Sequence, residues 1–308
     1  MEKVVIYSPA TVANLACGYD IMGLALNNPG DEMVVTRNHS NHLVIKNLTP
    51  YSLPEDPKKN TATVAVQSLL DALGANDGFN FEIRTKIKPG SGLGSSASSA
   101  AAAVYGVNKL LGEPLSTKEL VVHAMEGEKY LSAKAHADNV APALLGGVIL
   151  IRGYDPLDII QLEYPEDLYL TIIHPQISIK TSEARRLLGD SIAIDKAVAQ
   201  WGNVGGLVAG FLMKNHSMIG NSLKDHFAEP VRSSLIPYYN EVKSLALENE
   251  ALGFNISGSG PAMFAFSTSA ERAELIKIKC LEFYSKQGID TLGYVSSINT
   301  KGTQLIEK

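Results

Sequence analysis

Residues 89–99 of the chain read PGSGLGSSASS, a glycine- and serine-rich turn between two regular segments. The residues before it, 79–87 (FNFEIRTKI), alternate between apolar and polar side chains, which predicts a half-buried strand. The residues after it are rich in alanine and predict a helix from about Ser95 to Leu111. The sequence therefore predicts a strand, a tight turn and a helix in direct succession.

This turn has the features of a phosphate-binding loop. Gly90, Gly92 and Gly94 lack a Cβ atom, so the backbone can turn tightly and a ligand can approach it closely. The first N–H groups of the helix, at Ser95 and Ser96, have no intrahelical partner and lie at its positive end, which favours an anion. The serine hydroxyls can bond phosphate oxygens or bind Mg²⁺.

Two other phosphate-binding motifs do not fit the segment. A Walker A loop ends in Gly-Lys-Ser/Thr, and no lysine follows Gly94. A dinucleotide fingerprint has the pattern G-x-G-x-x-G, and its last glycine would fall on Ser95. A flexible glycine-serine linker is disfavoured, because linkers seldom join a well-patterned strand directly to a long helix.

Composition restricts the function further. The chain has 308 residues, enough for two domains, and its net charge of −5 argues against a general nucleic-acid binder. The apolar patch at the N-terminus is too short for a secretory signal, and residues 143–151 are too short to span a membrane, so the cytoplasm is the expected location. Cys17 and Cys280 cannot form a disulfide framework or a cysteine-rich metal site.

Hydrophobic patterning elsewhere predicts helices and strands mixed in both halves, an α+β fold. A first strand is predicted at 3–8, ended by Ser8-Pro9, and a helix at 61–73, stopped by Gly74. Gly153, Pro156 and Pro165 make 153–167 the predicted hinge, dividing the chain into domains at 1–160 and 161–308. The other predicted helices are 116–133, 181–189, 196–213, 231–249 and 269–286, and the other strands are 146–152, 168–173, 253–256, 262–267 and 292–298.

Residues 89–97 resemble the phosphate loop of the GHMP kinases, a family of small-molecule kinases. Residues 8–26 (SPATVANLACGYDIMGLAL) and 254–266 (FNISGSGPAMFAF) resemble two further motifs of that family, and the three together span nearly the whole chain. The resemblance implies an N-terminal domain like ribosomal S5 domain 2 and a ferredoxin-like C-terminal domain. It also implies ATP and Mg²⁺ as cofactors, and a small-molecule substrate that meets ATP between the domains.

Within the family, residues 136–147 (HADNVAPALLGG), 181–185 (TSEAR) and ANLACGYD resemble the members that phosphorylate the side-chain hydroxyl of L-homoserine, a step of threonine biosynthesis. Ala16-Cys17 departs from the Gly-Pro of many such members. Two alternatives stay open: another GHMP kinase, acting on a mevalonate-pathway compound or a sugar, and a catalytically silent ligand-binding protein on the same scaffold. A homodimer is compatible with the resemblance, and neither a nucleic acid nor a membrane is expected as a partner.

The resemblance also suggests roles for side chains around a zwitterionic substrate. Asp20 would accept the ammonium group, with turn capping as its alternative role. Arg185 and Arg232 would bind the carboxylate, because the planar guanidinium makes paired hydrogen bonds, although Arg185 and its neighbour Arg186 could also be solvated surface charges. The residues expected near the substrate hydroxyl are Asn14, His136 and Asn139.

The nucleotide and metal sites follow from the same resemblance. Ser96 and Glu128 are the expected Mg²⁺ ligands, with Glu126 as the competitor of Glu128. Asn60 is expected near the nucleotide base. The residues expected to bind the phosphates are Pro89, Gly90, Ser91, Gly92, Leu93, Gly94, Ser95 and Ser96.

Asn139 stands where mevalonate kinases carry an aspartate that is proposed to be the catalytic base. Asparagine cannot accept the proton, so we expect no side-chain base, and the hydroxyl proton would pass to the γ-phosphate or to water. Asn139, Glu128 and Ser96 are therefore the predicted catalytic residues. His123 lies among apolar residues, and packing is its expected role.

Overall fold

The computed structural model describes residues 2–129, 136–179, 181–189 and 191–307, and within them the chain forms two β-sheets covered by helices. The first sheet has seven strands in the described part of the chain, and five of them follow the order β11-β1-β2-β4-β3, with the hairpin β5-β6 attached to β2. Its strands are β1 (Lys3–Ala13), β2 (Met22–Asn38), β3 (Leu43–Asn47), β4 (Gly78–Thr85), β5 (Val148–Tyr154), β6 (Leu157–Leu162) and β11 (Gln304–Glu307). The β3–β4 pair is parallel and the other pairs are antiparallel.

Four helices pack on the first sheet: α1 (Thr61–Leu73), α2 (Ser95–Leu110), α3 (Leu120–Lys129) and α4 (Val140–Leu145). The alanines of α2 are fully buried, and their small side chains let this helix lie close to β1 and β2. The side chain of Asn60 accepts a hydrogen bond from the N–H of Ala62, and Gly74 ends α1 with a φ of 62°. The helix predicted at 61–73 is thus confirmed, and local capping signals define both of its ends.

The second sheet is antiparallel, with the strand order β10-β7-β9-β8. Its strands are β7 (Tyr169–Pro175), β8 (Gly253–Ile256), β9 (Met263–Ser267) and β10 (Thr291–Ser297). The helices of this half are α5 (Thr181–Arg186), α6 (Ile194–Leu212), α7 (His216–Ser222), α8 (Glu229–Arg232), α9 (Tyr239–Glu248) and α10 (Ala270–Lys286), with a 3-10 turn at Ser233–Leu235. Side chains of α9 and α10 share one buried cluster with this sheet, and side chains of α6 share another that also includes residues of β1 and β2. The predicted α+β class is confirmed.

Three predicted elements differ from the structure. The first strand does not end at Pro9: β1 continues to Ala13, because Pro9 lies where the register with β2 shifts and beyond the last pairing with β11, so its missing N–H is tolerated. The helix predicted at 231–249 is interrupted before Tyr239, next to Pro237. The helix predicted at 116–133 is α3, beginning at Leu120, and residues 130–135 lie outside the described residues.

The predicted hinge at 153–167 contains the turn and second strand of the β5-β6 hairpin. Strand β6 belongs to the first sheet, and β11 returns from the end of the chain to pair with β1. A division at residue 160 would fall inside β6. The division into domains at 1–160 and 161–308 stays a prediction. No helix in the described residues is both long enough and apolar enough to cross a membrane.

Candidate active site

A cleft with a volume of about 640 Å³ is lined by residues from both halves of the chain. It brings together most of the residues that the sequence singled out. Lining the cleft are Asn14, Asp20, Asn60, Pro89, Gly90, Ser91, Gly92, Gly94, Ser95, Ser96, Glu128, His136, Asn139, Arg185 and Arg232. Leu93 is the exception, since its side chain is buried in a hydrophobic cluster beneath the loop.

The glycine loop fits closely against its neighbours, which restricts two of its positions. Gly94 has a φ of +65°, and a Cβ atom there would lie 1.9 Å from Oγ1 of Thr11. A Cβ atom on Gly92 would lie 2.5 Å from the carbonyl oxygen of Ser257. Helix α2 begins directly after Gly94, so its free N–H groups lie at the edge of the cleft. The loop and helix end therefore form a cradle suited to phosphate oxygens.

The side chains of Ser96 and Glu128 contact each other in the wall of the cleft. The Ser96 hydroxyl donates to Oε2 of Glu128 at 3.0 Å. Burial raises the pKa of Glu128, while the Ser96 hydrogen bond and the charge of Lys86 oppose that shift. Glu126 instead pairs with Lys129 on an exposed face of α3.

The two oxygen donors suit a hard cation such as Mg²⁺. Among the described residues no group of three or more His, Cys, Asp or Glu side chains could hold a metal ion. An Mg²⁺ ion bound by Ser96 and Glu128 would thus take its other ligands from nucleotide phosphates and water.

A buried ion pair under the loop was missed by the sequence analysis. Nζ of Lys86 lies 2.6 Å from Oδ2 of Asp31, and the two side chains are 3% and 1% exposed. Lys86 also donates to the backbone carbonyl of Ser95, while Asp31 accepts from the N–H of Ile87 and the hydroxyl of Ser99. The pair ties β2 and the segment after β4 to the first turns of α2.

Asp20 lies between two basic side chains. Oδ1 of Asp20 is 3.4 Å from Nη2 of Arg185, and Oδ2 is 3.4 Å from Nδ1 of His136. Nη1 of Arg185 and Nε2 of His136 are 3.0 Å apart. Arg186 is exposed. Arg185 is therefore the arginine of this pair that faces the cleft, next to Asp20.

Arg232 is 4% exposed and lies in the same cleft. Its guanidinium donates to the carbonyl oxygens of Ala184 and Gly258, and it lies 5.2 Å from the ring centre of Tyr19, whose hydroxyl is also within hydrogen-bond distance. Among the described residues no carboxylate forms an ion pair with it. A buried cation without an anionic partner is unfavourable, so this position favours an anionic ligand.

The two asparagines of the cleft are held by their neighbours. Asn14 donates to the carbonyl of Gly258 and accepts from the N–H of Asp20. Oδ1 of Asn139 accepts from the Thr11 hydroxyl at 2.6 Å, which leaves its amide nitrogen as the donor end.

Asp138 is a further carboxyl group of the cleft that the sequence analysis did not assign. It is buried, and burial, together with the nearby charges of Asp20 and Glu128, raises its pKa to about 7. Its position between His136 and Asn139, in the motif already singled out, was the available signal. Lys86 had no comparable signal, because its partner Asp31 is distant in sequence.

Asn60 and His123 complete the predicted set. Both polar ends of Asn60 are engaged, one with the N–H of Ala62 and the other with the carbonyl of Pro54, so this side chain fixes the start of α1 at the cleft edge. His123 lies 3.0 Å from the hydroxyl of Ser68 and away from the cleft, as expected for a packing role.

Comparisons with known proteins agree with this arrangement. The family model for the N-terminal domain of GHMP kinases matches residues 60–147, and the model for their C-terminal domain matches residues 207–286. The homoserine kinase of Chloroherpeton thalassium is 46% identical over 298 residues, which is 93% of each chain. That of Chlorobaculum tepidum is 42% identical over 99% of each chain.

Solved structures give the same result. The crystal structure of homoserine kinase from Cytophaga hutchinsonii matches with a TM-score of 0.96 and 46% identity, over 99% of this chain and 98% of that one. The mevalonate kinase of L. major, solved with R-mevalonate, shares the fold at a TM-score of 0.73 and 17% identity, over 97% and 96% of the two chains. From its family matches, its full-length relatives and its fold, the chain belongs to the GHMP kinase family and, within it, to the homoserine kinases.

Proposed function

We propose that this chain transfers the γ-phosphoryl group of ATP to the side-chain hydroxyl of L-homoserine, forming O-phospho-L-homoserine in threonine biosynthesis. Homoserine kinases similar over nearly the full length support the activity. The observation that carries the substrate assignment is the buried Arg232 guanidinium, which has no carboxylate partner among the described residues and lies in one cleft with Asp20 and Arg185. A cleft with both signs of charge suits a zwitterionic amino acid.

The phosphates of ATP would lie against the loop that contains Gly90, Gly92 and Gly94. Backbone N–H groups at the start of α2 would bind the phosphate oxygens, with Ser95 and Ser96 beside them. Ser96 and Glu128 would hold an Mg²⁺ ion, which neutralises charge on the phosphate oxygens during transfer. Asn60 would lie near the nucleotide base.

The amino acid would replace contacts that the side chains of the cleft make with one another. Its carboxylate would pair with Arg232 and with Arg185, and its ammonium group would take the place of Arg185 and His136 beside Asp20. Asn14 and Asn139 would then direct the side-chain hydroxyl toward the γ-phosphate. In this family, positioning and charge neutralisation account for most of the catalysis.

The proton of the substrate hydroxyl would leave without a base at position 139. Asn139 can donate from its amide nitrogen but cannot accept a proton. We therefore retain the γ-phosphate or water as the proton acceptor.

The alternatives have less support. A neutral sugar has no anionic group for the two arginines, and a mevalonate-pathway compound has no ammonium group for Asp20. A silent binding protein has no need for Ser96 and Glu128 in contact at 3.0 Å. The expected cytoplasmic location and homodimeric state stay predictions.

The substrate assignment is tested with Arg185→Met, using Arg186→Met as the matched control. Loss of a charged hydrogen bond to the carboxylate should raise the KM for L-homoserine by about 10- to 100-fold, with the KM for ATP unchanged. Arg186→Met should leave both values unchanged, because Arg186 is exposed. The product is identified by phosphorus NMR. Equal effects of the two substitutions, or an effect on ATP alone, would contradict the assignment.

A further inference from the structure

The hydroxyl group of Tyr154 connects two turns that border the cleft. It donates a hydrogen bond of 2.6 Å to the backbone carbonyl of Asp20, and it accepts one of 3.2 Å from the N–H of Ala137. Ala137 directly follows His136, whose ring nitrogen Nδ1 lies 3.4 Å from the carboxylate of Asp20. A single phenol oxygen therefore binds the backbone at, or next to, both of these cleft residues.

The position of Tyr154 follows from the pairing of its strand. Strand β5 pairs antiparallel with residues 22–24 of β2, and the N–H of Ile151 donates to the carbonyl of Ile21. Tyr154 is the last residue of β5, three residues further along, so its ring lies beside the turn that precedes β2. The ring also stands edge-on to the imidazole of His136, with the ring centres 6.2 Å apart. The first sheet thus fixes where the phenol lies.

The backbone of Asp20 has an uncommon conformation that needs support. Its φ is +59°, in the left-handed region that a residue with a Cβ atom adopts only when its surroundings enforce it. Both of its backbone polar groups are bound by side chains: Asn14 accepts from the N–H, and Tyr154 donates to the carbonyl. Removal of the Tyr154 hydroxyl would release the carbonyl end, and the carboxylate would lose its fixed position relative to His136.

Tyr154 acts on the site from behind it. Tyr154 is not one of the described residues that line the cleft, whereas Asp20 and His136 both line it. Burial raises the pKa of the Tyr154 hydroxyl above its usual value of 10.0, so the group keeps its proton at neutral pH. That proton is donated to the carbonyl of Asp20, while the oxygen accepts from the N–H of Ala137. These contacts suit a group that positions other residues and takes no part in proton transfer.

We propose that Tyr154 is a positioning residue for the ammonium group of the substrate. Its hydroxyl holds the turn of Asp20 against the turn of His136, which keeps the Asp20 carboxylate directed into the cleft. The proposal rests on the proposed function, because it takes this carboxylate as the acceptor of the ammonium group. Tyr154 lies outside the motifs at 8–26, 89–97 and 136–147, so those motifs do not identify it.

The test compares Tyr154→Phe with the native chain, using L-homoserine and 4-hydroxybutyrate. The second compound keeps the carboxylate and the terminal hydroxyl but lacks the ammonium group, and it is measured as an inhibitor that competes with L-homoserine. Tyr154→Phe should raise the KM for L-homoserine by about tenfold, since two neutral hydrogen bonds are lost. The KM for ATP, kcat and the inhibition constant of 4-hydroxybutyrate should each change by less than about twofold, because only binding of the ammonium group is weakened.

Tyr7→Phe is the matched control. The hydroxyl of Tyr7 also donates to a backbone carbonyl, that of Asn27 at 2.8 Å, and Tyr7 is not among the described residues of the cleft. This variant should keep the native KM for L-homoserine. Tyr154→Leu should raise that KM more than Tyr154→Phe does, because it also removes the ring beside His136. Thermal unfolding checks that the variants are folded, which we expect because each phenylalanine keeps the ring in place.

A native KM for L-homoserine in folded Tyr154→Phe would overturn the role of Tyr154 and leave the proposed function intact. An equal rise in the inhibition constant of 4-hydroxybutyrate would also overturn it, because the tyrosine would then support the whole pocket. The same rise in KM for Tyr7→Phe would have that meaning too. Absence of L-homoserine phosphorylation by the native chain would contradict the proposed function, and this proposal with it.

Discussion

Asn139 lies at the start of α4, where its side-chain oxygen is held by the Thr11 hydroxyl. This contact fixes the amide plane and leaves the nitrogen to donate into the cleft. A fixed donor can orient the substrate hydroxyl or stabilise charge on the transferred group, but it cannot remove a proton. Asn139 thus has a positioning role in this account.

We expect Asn139→Ala to lower kcat by roughly a hundredfold, the usual effect of removing one well-placed donor. The KM for ATP should change little, because the phosphate loop is intact. Steady-state kinetics with both substrates varied gives the two values. Complete loss of turnover with normal substrate binding would contradict a mechanism without a base at this position.

Asp138 gives the site a pH-dependent contribution to stability. Its pKa is raised from the usual 3.8 to about 7, with burial as the main cause. Between these two values the folded protein binds the proton more tightly than the unfolded chain does. The free energy of unfolding that Asp138 contributes therefore falls as the pH rises from about 4 to 7, and levels off above that.

Asp138→Asn should remove this dependence, because an amide stays neutral throughout the range. Relative to the native chain, the variant should gain stability between about pH 4 and 7, by up to about 4 kcal/mol. Urea unfolding of both proteins at several pH values measures the difference. Parallel stability profiles would contradict a raised pKa at Asp138.

At the scale of elements, the Lys86–Asp31 pair connects three parts of the chain: β2, the segment after β4 and the start of α2. Lys86 and Asp31 pair with each other, and both form hydrogen bonds with the first turns of α2. Both side chains are almost completely buried, and Lys86 also binds the carbonyl of Ser95. A buried pair is costly to break, because the remaining charge is left without a partner. The pair thereby fixes the helix end that would receive the phosphates.

Lys86→Met should lower the free energy of unfolding by about 3–5 kcal/mol, as expected when a buried ion pair loses one member. The matched control is Arg84→Met, in the same strand region, where Arg84 pairs with Glu32 at 3.2 Å in a partly exposed position. That pair should contribute no more than about 1 kcal/mol. Similar losses in urea unfolding for the two variants would contradict the structural role of Lys86.

Elements with local signals were predictable from the sequence, and those that depend on distant partners were not. Helix α1 was predicted with both ends because Gly74 and the apolar pattern are local features. Strand β2 was not predicted at all, since Pro29 and Gly30 interrupt its pattern and its regularity comes from pairing with β1 and β4. Asp31, in the same strand, meets Lys86 only through that pairing.

The same distinction applies to the candidate site. The glycine loop and the motif at 136–147 each carry their residues close together in sequence. The relation of Asp20 to Arg185 could be expected only through the family resemblance, because 165 residues separate them. Whether Glu126 or Glu128 faces the cleft depends on the orientation of α3, which the sequence alone left open.

At the scale of the whole molecule, the two halves contribute different parts of one cleft. The first half provides the phosphate loop, Glu128 and Asp20, whereas the second provides Arg185 and Arg232. A nucleotide held by one half and an amino acid bound by both would meet at Asn139. The fold is common to other GHMP kinases, so substrate choice depends on the side chains from both halves.

The most direct test is ATP consumption by the purified protein with Mg²⁺, comparing L-homoserine with mevalonate, galactose, L-serine and L-threonine. We predict strong turnover with L-homoserine alone, because mevalonate and galactose lack an ammonium group and the hydroxyls of L-serine and L-threonine lie one carbon closer to theirs. Preferred turnover of mevalonate or galactose would preserve the phosphate loop but contradict the roles of Asp20, Arg185 and Arg232. Absence of turnover with every compound would contradict the proposed activity itself.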